Sequence, residues 1–147
     1  SDAEIEAAAN LTVPEIFDRD GEAFFRMRES EVIERLLVAQ TGILSTGGGA
    51  FLREVNRTNI SARGVSVWLD ADLDLLWSRV RHRDSRPLLR TPDPRATLAD
   101  LFAQRVPLYA LADLRVECLP NLSIEATAKR VIDVLKTRPD VLERNDA

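Results

Sequence analysis

The sequence predicts an α/β protein with a parallel sheet and crossover helices. Three observations carry that reading: short apolar runs that end in glycine or polar residues, helical apolar spacing between those runs, and capping signals where helices should begin. At 147 residues the chain fits one domain and can bury a core, and 45% apolar with 30% charged residues is ordinary globular usage. The domain is expected to span 1–138, followed by a tail at 139–147.

The elements follow in order. Ser1 with Glu4 and Thr12 with Glu15 both have capping-box spacing and predict two short helices at the start. Gly21 breaks the pattern, and from Glu22 to about Gln40 the residues Phe25, Val32, Ile33, Leu36 and Leu37 recur at helical spacing. The polar face of this helix is expected to include Arg26 and Glu29, which stand three residues apart and so are neighbours. Ile43-Leu44-Ser45-Thr46 reads as a buried strand that opens into Gly47-Gly48-Gly49. Val65–Leu69 and Leu114–Cys118 are the next strands, with helices at about 72–83, 97–112 and 123–137, the last capped by Ser123. Segment 84–96, rich in Arg and Pro and without a period, predicts a loop.

Charge and composition exclude several function classes. A net charge of −4 argues against a general nucleic-acid binder or an anionic-membrane binder. No apolar run is long enough to span a bilayer, and Ser1-Asp2-Ala3-Glu4 has neither the basic start nor the apolar stretch of a signal peptide, so a cytoplasmic location is expected. Cys118 is the single cysteine and His82 the single histidine, so a metal would have to be held by oxygen. Arg79, Arg81, Arg83, Arg86, Arg90 and Arg95 crowd one stretch opposed only by Asp84 and Asp93. They suit either a local anion site or a solvated loop.

Three glycines after a strand demand a sharp turn or allow close approach, and at the carboxyl end of a parallel strand the approaching group is often a ligand. Taken singly, Arg26 is also satisfied as a surface partner of Glu29, and Asp2 as an acidic residue in a first helical turn. Asp70 and Asp72 could hold magnesium, but Asp72 as the cap of the next helix is simpler. His82 reads as a solvated helix end and Cys118 as a buried apolar position.

Five blocks stand together in one order: Val13-Pro14-Glu15-Ile16-Phe17, Gly21-Glu22-Ala23-Phe24-Phe25-Arg26 with Glu29, Ser45-Thr46-Gly47-Gly48-Gly49, Arg86-Pro87-Leu88-Leu89, and Arg105-Val106-Pro107-Leu108-Tyr109. In this series the sequence resembles the shikimate kinase family. The resemblance implies a three-layer P-loop kinase-type domain with a parallel sheet and a lid over about 84–96. It implies phosphoryl transfer from ATP, with Mg2+, to shikimate, and a monomer when complete.

By the same resemblance Asp2 orients or deprotonates the attacking hydroxyl, Arg26 and Arg105 grip the substrate carboxylate, and Gly47, Gly48 and Gly49 let backbone amides reach it. Arg86 is then a catalytic, ATP-facing arginine of the lid. The family's G-x-x-x-x-G-K-[ST] run does not occur in these residues, and Leu119-Pro120-Asn121-Leu122-Ser123 lacks the arginine the family often places near adenine. The sequence therefore reads as N-terminally truncated, with metal ligands expected upstream and none in this chain. The isolated chain is expected to be poorly stable and inactive. Three rival readings stay open: a non-catalytic shikimate-binding module, a kinase for another small hydroxy acid such as gluconate, and an anion-binding domain built on 79–95.

Overall fold

The computed structural model of the chain describes residues 1–39, 42–81 and 91–140. These fall into two compact units, one built on Ser1–Arg63 and the other on 64–81 and 93–140.

The first unit is helical. Helix α1 runs Asp2–Ala9 and closes on Asn10, whose left-handed φ of 55° lets its N–H reach the Glu6 carbonyl. Helix α2 covers Val13–Ala39 and is two helical pieces joined at Gly21, where φ 84° and ψ 169° fit glycine alone. The Thr12 capping box forms as expected: Thr12 Oγ1 donates to Glu15 Oε1 at 2.9 Å, and the Glu15 N–H donates back to Thr12 Oγ1 at 3.3 Å. The box expected at Ser1 does not form; Ser1 makes no side-chain cap, and its amino group bonds the Ser45 carbonyl instead. Ile5, Ile16, Phe25 and Val32 lock α1 onto both pieces of α2, with Phe17, Phe24 and Leu36 packed around them.

Two sequence expectations are corrected in this unit. Residues 43–46 pair in no ladder among the described residues, and Ile43 is fully exposed rather than buried in a strand. An apolar run becomes a strand only where a partner takes its backbone groups. In addition, helix α3 at Glu54–Arg63 was not expected. Its sequence, EVNRTNISAR, has Val55, Ile60 and Ala62 as its apolar residues, too few to announce a stripe. A 3-10 turn over Ala50–Leu52 joins the glycine loop to α3.

The second unit holds the parallel ladder. Strand β1 is Val67–Asp70, two residues later at its start than expected, and β2 is Leu114–Glu117, paired in the register Val67↔Leu114 to Asp70↔Glu117. A clasp sets the start of the ladder: Asp113 Oδ2 accepts from the Ser66 N–H at 2.9 Å and the Ser66 hydroxyl at 3.1 Å, and the Asp113 N–H returns to Ser66 Oγ at 2.9 Å. Helices α4 (Leu73–Val80) and α5 (Pro94–Tyr109) make the crossover between the strands, and α6 (Ile124–Leu135) follows β2. Asp72 caps α4 through the Leu75 N–H at 2.8 Å, and Ser123 caps α6 through the Ala126 N–H at 3.0 Å, both as the sequence predicts. Among the described residues its buried cluster is Ala71, Leu75 and Cys118, with Val116 buried on β2. Burial pushes the Cys118 thiol up, which keeps it an inert apolar group.

Segment 84–96 was expected to be irregular throughout, yet α5 already begins at Pro94, where the ring suits a first helical turn and the Asp93 carboxylate accepts from the Ala96 N–H at 3.2 Å. Arg86, His82 and the rest of 82–90 lie outside the described residues. So does most of the expected tail, at 141–147.

Candidate functional site

The site residues of the first unit are brought together by the second piece of α2 and the glycine loop. Gly21 resets the helix so that the stripe Phe25, Val32 and Ile33 faces inward. Glu29 falls four residues after Phe25 and four before Ile33, and so lies on the apolar stripe rather than on the polar face expected for it. It is fully buried, at 0% exposure.

A buried carboxylate needs a partner, and Arg26 supplies it: Nη1 donates to Glu29 Oε1 at 2.9 Å. The other oxygen, Oε2, is buried without a hydrogen bond. Burial raises the Glu29 pKa above the ordinary 4.5, against the hydrogen bond and charge of Arg26, which pull it down. The Asp2 charge adds to the rise and the Arg53 charge opposes it.

The Arg26 guanidinium is fixed on several sides. It lies 5.1 Å from the Phe25 ring centroid and 6.0 Å from that of Phe17, and its Nη2 is 3.5 Å from the exposed Glu22. The glycine loop packs against one further side of it. A Cβ placed on Gly49 would overlap the guanidinium itself. Gly49 has ordinary right-handed backbone angles, φ −74° and ψ −19°, so the arginine's proximity, not the backbone, excludes a side chain there. At Gly47 a Cβ would stand 3.5 Å from Asp2 Oδ1 and 3.8 Å from Glu29 Oε2, in ordinary contact.

Asp2 therefore lies beside Gly47, and Arg26 beside Gly49. Gly48 lies between the two glycines, exposed at the tip of the loop. Arg105 stands on α5 in the second unit, where its Nε is buried without a hydrogen-bond partner. Glu29 was read in the sequence only as a neighbour of Arg26; its place at helical spacing between Phe25 and Ile33 is the signal that finds it.

Chemically, the first-unit cluster offers a guanidinium that commits one donor to Glu29 and retains others for a second oxyanion, beside an aspartate and a loop free of side chains. A parallel α/β ladder and a cluster of an anchored arginine, an aspartate and a side-chain-free loop suit an α/β protein that binds a small anionic molecule. The family described as "Shikimate kinase" matches residues 1–136. A shikimate kinase of Ruegeria pomeroyi is 66% identical over 143 residues, covering 97% of this chain and 73% of the relative. One of Cereibacter sphaeroides is 59% identical over 146 residues, with 99% and 73% covered. Among solved structures, the shikimate kinase from Acinetobacter baumannii in complex with shikimate is 33% identical with a TM-score of 0.85, over 93% of this chain and 77% of that one. The shikimate kinase of Aquifex aeolicus is 30% identical with a TM-score of 0.78, over 96% and 80%. The chain belongs to the shikimate kinase family.

Proposed function

We propose that the native product carrying this sequence transfers the terminal phosphoryl group of ATP to a hydroxyl of shikimate, giving shikimate 3-phosphate and ADP on the way to chorismate. The observation that carries this reading is Arg26: its guanidinium is anchored through Glu29 Oε1 at 2.9 Å and faces a glycine loop that no side chain obstructs. A planar cation held in that way is preorganised for a carboxylate.

In this reading Arg26 and Arg105 bind the shikimate carboxylate, and backbone amides of Gly47–Gly49 meet the substrate. Arg105's buried, unpartnered Nε is a donor that a bound anion would satisfy. Asp2, whose carboxylate borders Gly47, takes the hydrogen bond of the attacking hydroxyl and receives its proton as the phosphorus–oxygen bond forms. The ATP-facing role of Arg86 rests on the family resemblance, and that residue lies outside the described part of the chain.

Magnesium belongs to the proposal as the companion of ATP. Among the described residues no group of three His, Cys, Asp or Glu side chains stands together. Those residues do not fit a metal cage, and no step here is routed through one. The proposal further places the protein in the cytoplasm as a monomer without nucleic-acid partners; among the described residues no helix is long and apolar enough to cross a membrane. The 147 residues contain no G-x-x-x-x-G-K-[ST] run, and by themselves they are expected to turn over no ATP.

The test is ADP release by the native gene product with shikimate or gluconate as acceptor. Turnover with shikimate alone is the expected result. Turnover with gluconate alone would move the substrate class, and shikimate binding without ATP turnover would make the protein a binding module.

A further inference from the structure

We infer that Arg53 is a positioning residue for Arg26, tying the glycine loop to the helix that carries the substrate-binding guanidinium. The inference rests on the shikimate reading above and deepens it.

Arg53 stands where the 3-10 turn passes into α3, immediately after the loop and turn that run from Gly47 to Leu52. Its Nη1 donates to the main-chain carbonyl of Arg26 at 2.8 Å and to Ser30 Oγ at 3.0 Å. Ser30 Oγ donates in turn to the same Arg26 carbonyl at 3.1 Å. One guanidinium thus grips the residue whose own guanidinium lies under Gly49. The near end of the link is equally fixed. Asn56 Nδ2 donates to the Ala50 carbonyl at 2.8 Å, and Arg57 Nη1 to the Phe51 carbonyl at 2.8 Å. The start of α3 therefore holds the loop through Asn56 and Arg57, and Arg53 carries that hold across to α2.

Two features separate this role from a purely structural one. Arg53 is exposed, so its removal opens no cavity, and the buried Glu29 keeps its direct partner Arg26. And the contact it sets is sterically exact, because Gly49 leaves no room for the Arg26 guanidinium to drift towards the loop. Loss of Arg53 should therefore loosen the register between Arg26 and the loop while the helices stay packed.

The experiment compares the native gene product with Arg53→Met and Arg53→Lys. For Arg53→Met the shikimate KM is expected to rise about tenfold with the ATP KM unchanged, and the Tm to fall by no more than about 4 °C. Arg53→Lys, which keeps a charged donor, should return the shikimate KM to within about threefold of wild type. The nuclear magnetic resonance signal of the Arg26 Nε–H, recorded without substrate, should shift in Arg53→Met and return in Arg53→Lys. An unmoved Arg26 signal, or parallel loss of shikimate and ATP affinity with a large drop in Tm, would overturn the inference. A wild type that ignores shikimate would instead sink the substrate reading, and the Arg26 signal alone would then decide the positioning role.

Discussion

The two units of the molecule solve the burial problem differently. The first packs Ile5, Ile16, Phe25 and Val32 together and places a charged group, Glu29, in the same interior. Among the described residues the second buries Ala71, Leu75 and Cys118 as a cluster, with Val116 buried on β2, and both units leave large apolar side chains exposed, Ile43 fully in the first and Ile124 at 90% in the second. At about 1.5–3 kcal/mol per fully buried large side chain, the first interior has the larger apolar surplus. That surplus is what can tolerate a desolvated carboxylate, and the carboxylate in turn fixes Arg26. The second unit leans instead on hydrogen bonds: the Ser66–Asp113 clasp, the Asp70–Arg115 pair across the ladder at 2.5 Å, and the caps of α4 and α6.

The sharpest break of this comparison is Arg26→Ala. It removes the substrate anion partner and leaves Glu29 buried alone, so shikimate affinity should fall at least about a hundredfold and stability by about 3 kcal/mol. Calorimetric titration and denaturant melts of the same protein check both. Next in size is Gly49→Ala. The added methyl collides with the Arg26 guanidinium, including the Nη1 that holds Glu29, while the backbone tolerates alanine, so affinity should drop about tenfold and stability by part of the Arg26→Ala loss. Gly47→Ala, which meets only ordinary contacts, should cost less in the same titration.

The third prediction concerns pH. The Glu29 pKa is raised in the folded protein, chiefly by burial, so its contribution to stability is full below the ordinary 4.5 and is lost as pH rises through the raised value. Wild type should therefore lose stability relative to Glu29→Gln as pH rises from about 4 towards neutrality. Urea melts across that range check it, and parallel curves for the two proteins would contradict it. The smallest effects are those of Ser123→Ala and Thr12→Ala, each about 1 kcal/mol from a lost cap. Because the second unit has the thinner core, the Ser123 change should show more clearly in its melting, read through the amides of α6.

What the sequence disclosed follows the range of each interaction. Thr12, Asp72 and Ser123 were legible because a cap is a contact three residues long. The β2 strand was legible because its apolar run and its ladder partner coincide. Ile43–Thr46 had the run without the partner, so the pattern misled. The polar α3 had no periodic signal at all, and with it went Arg53, whose partners lie 27 and 23 residues away. The family blocks singled out Arg26 and the glycines and the wider resemblance Asp2, but burial of Glu29 depends on two apolar neighbours one turn away on either side, which charge alone conceals.

The central claim is that Arg26, oriented by Glu29, receives the substrate carboxylate. The most direct measurement is calorimetric titration of shikimate into the native gene product and its Arg26→Lys variant. Lysine keeps the charge and can still pair with Glu29 but lacks the flat fork, so affinity should fall at least about tenfold while ATP binding holds. Equal shikimate affinity in the two proteins would contradict the account.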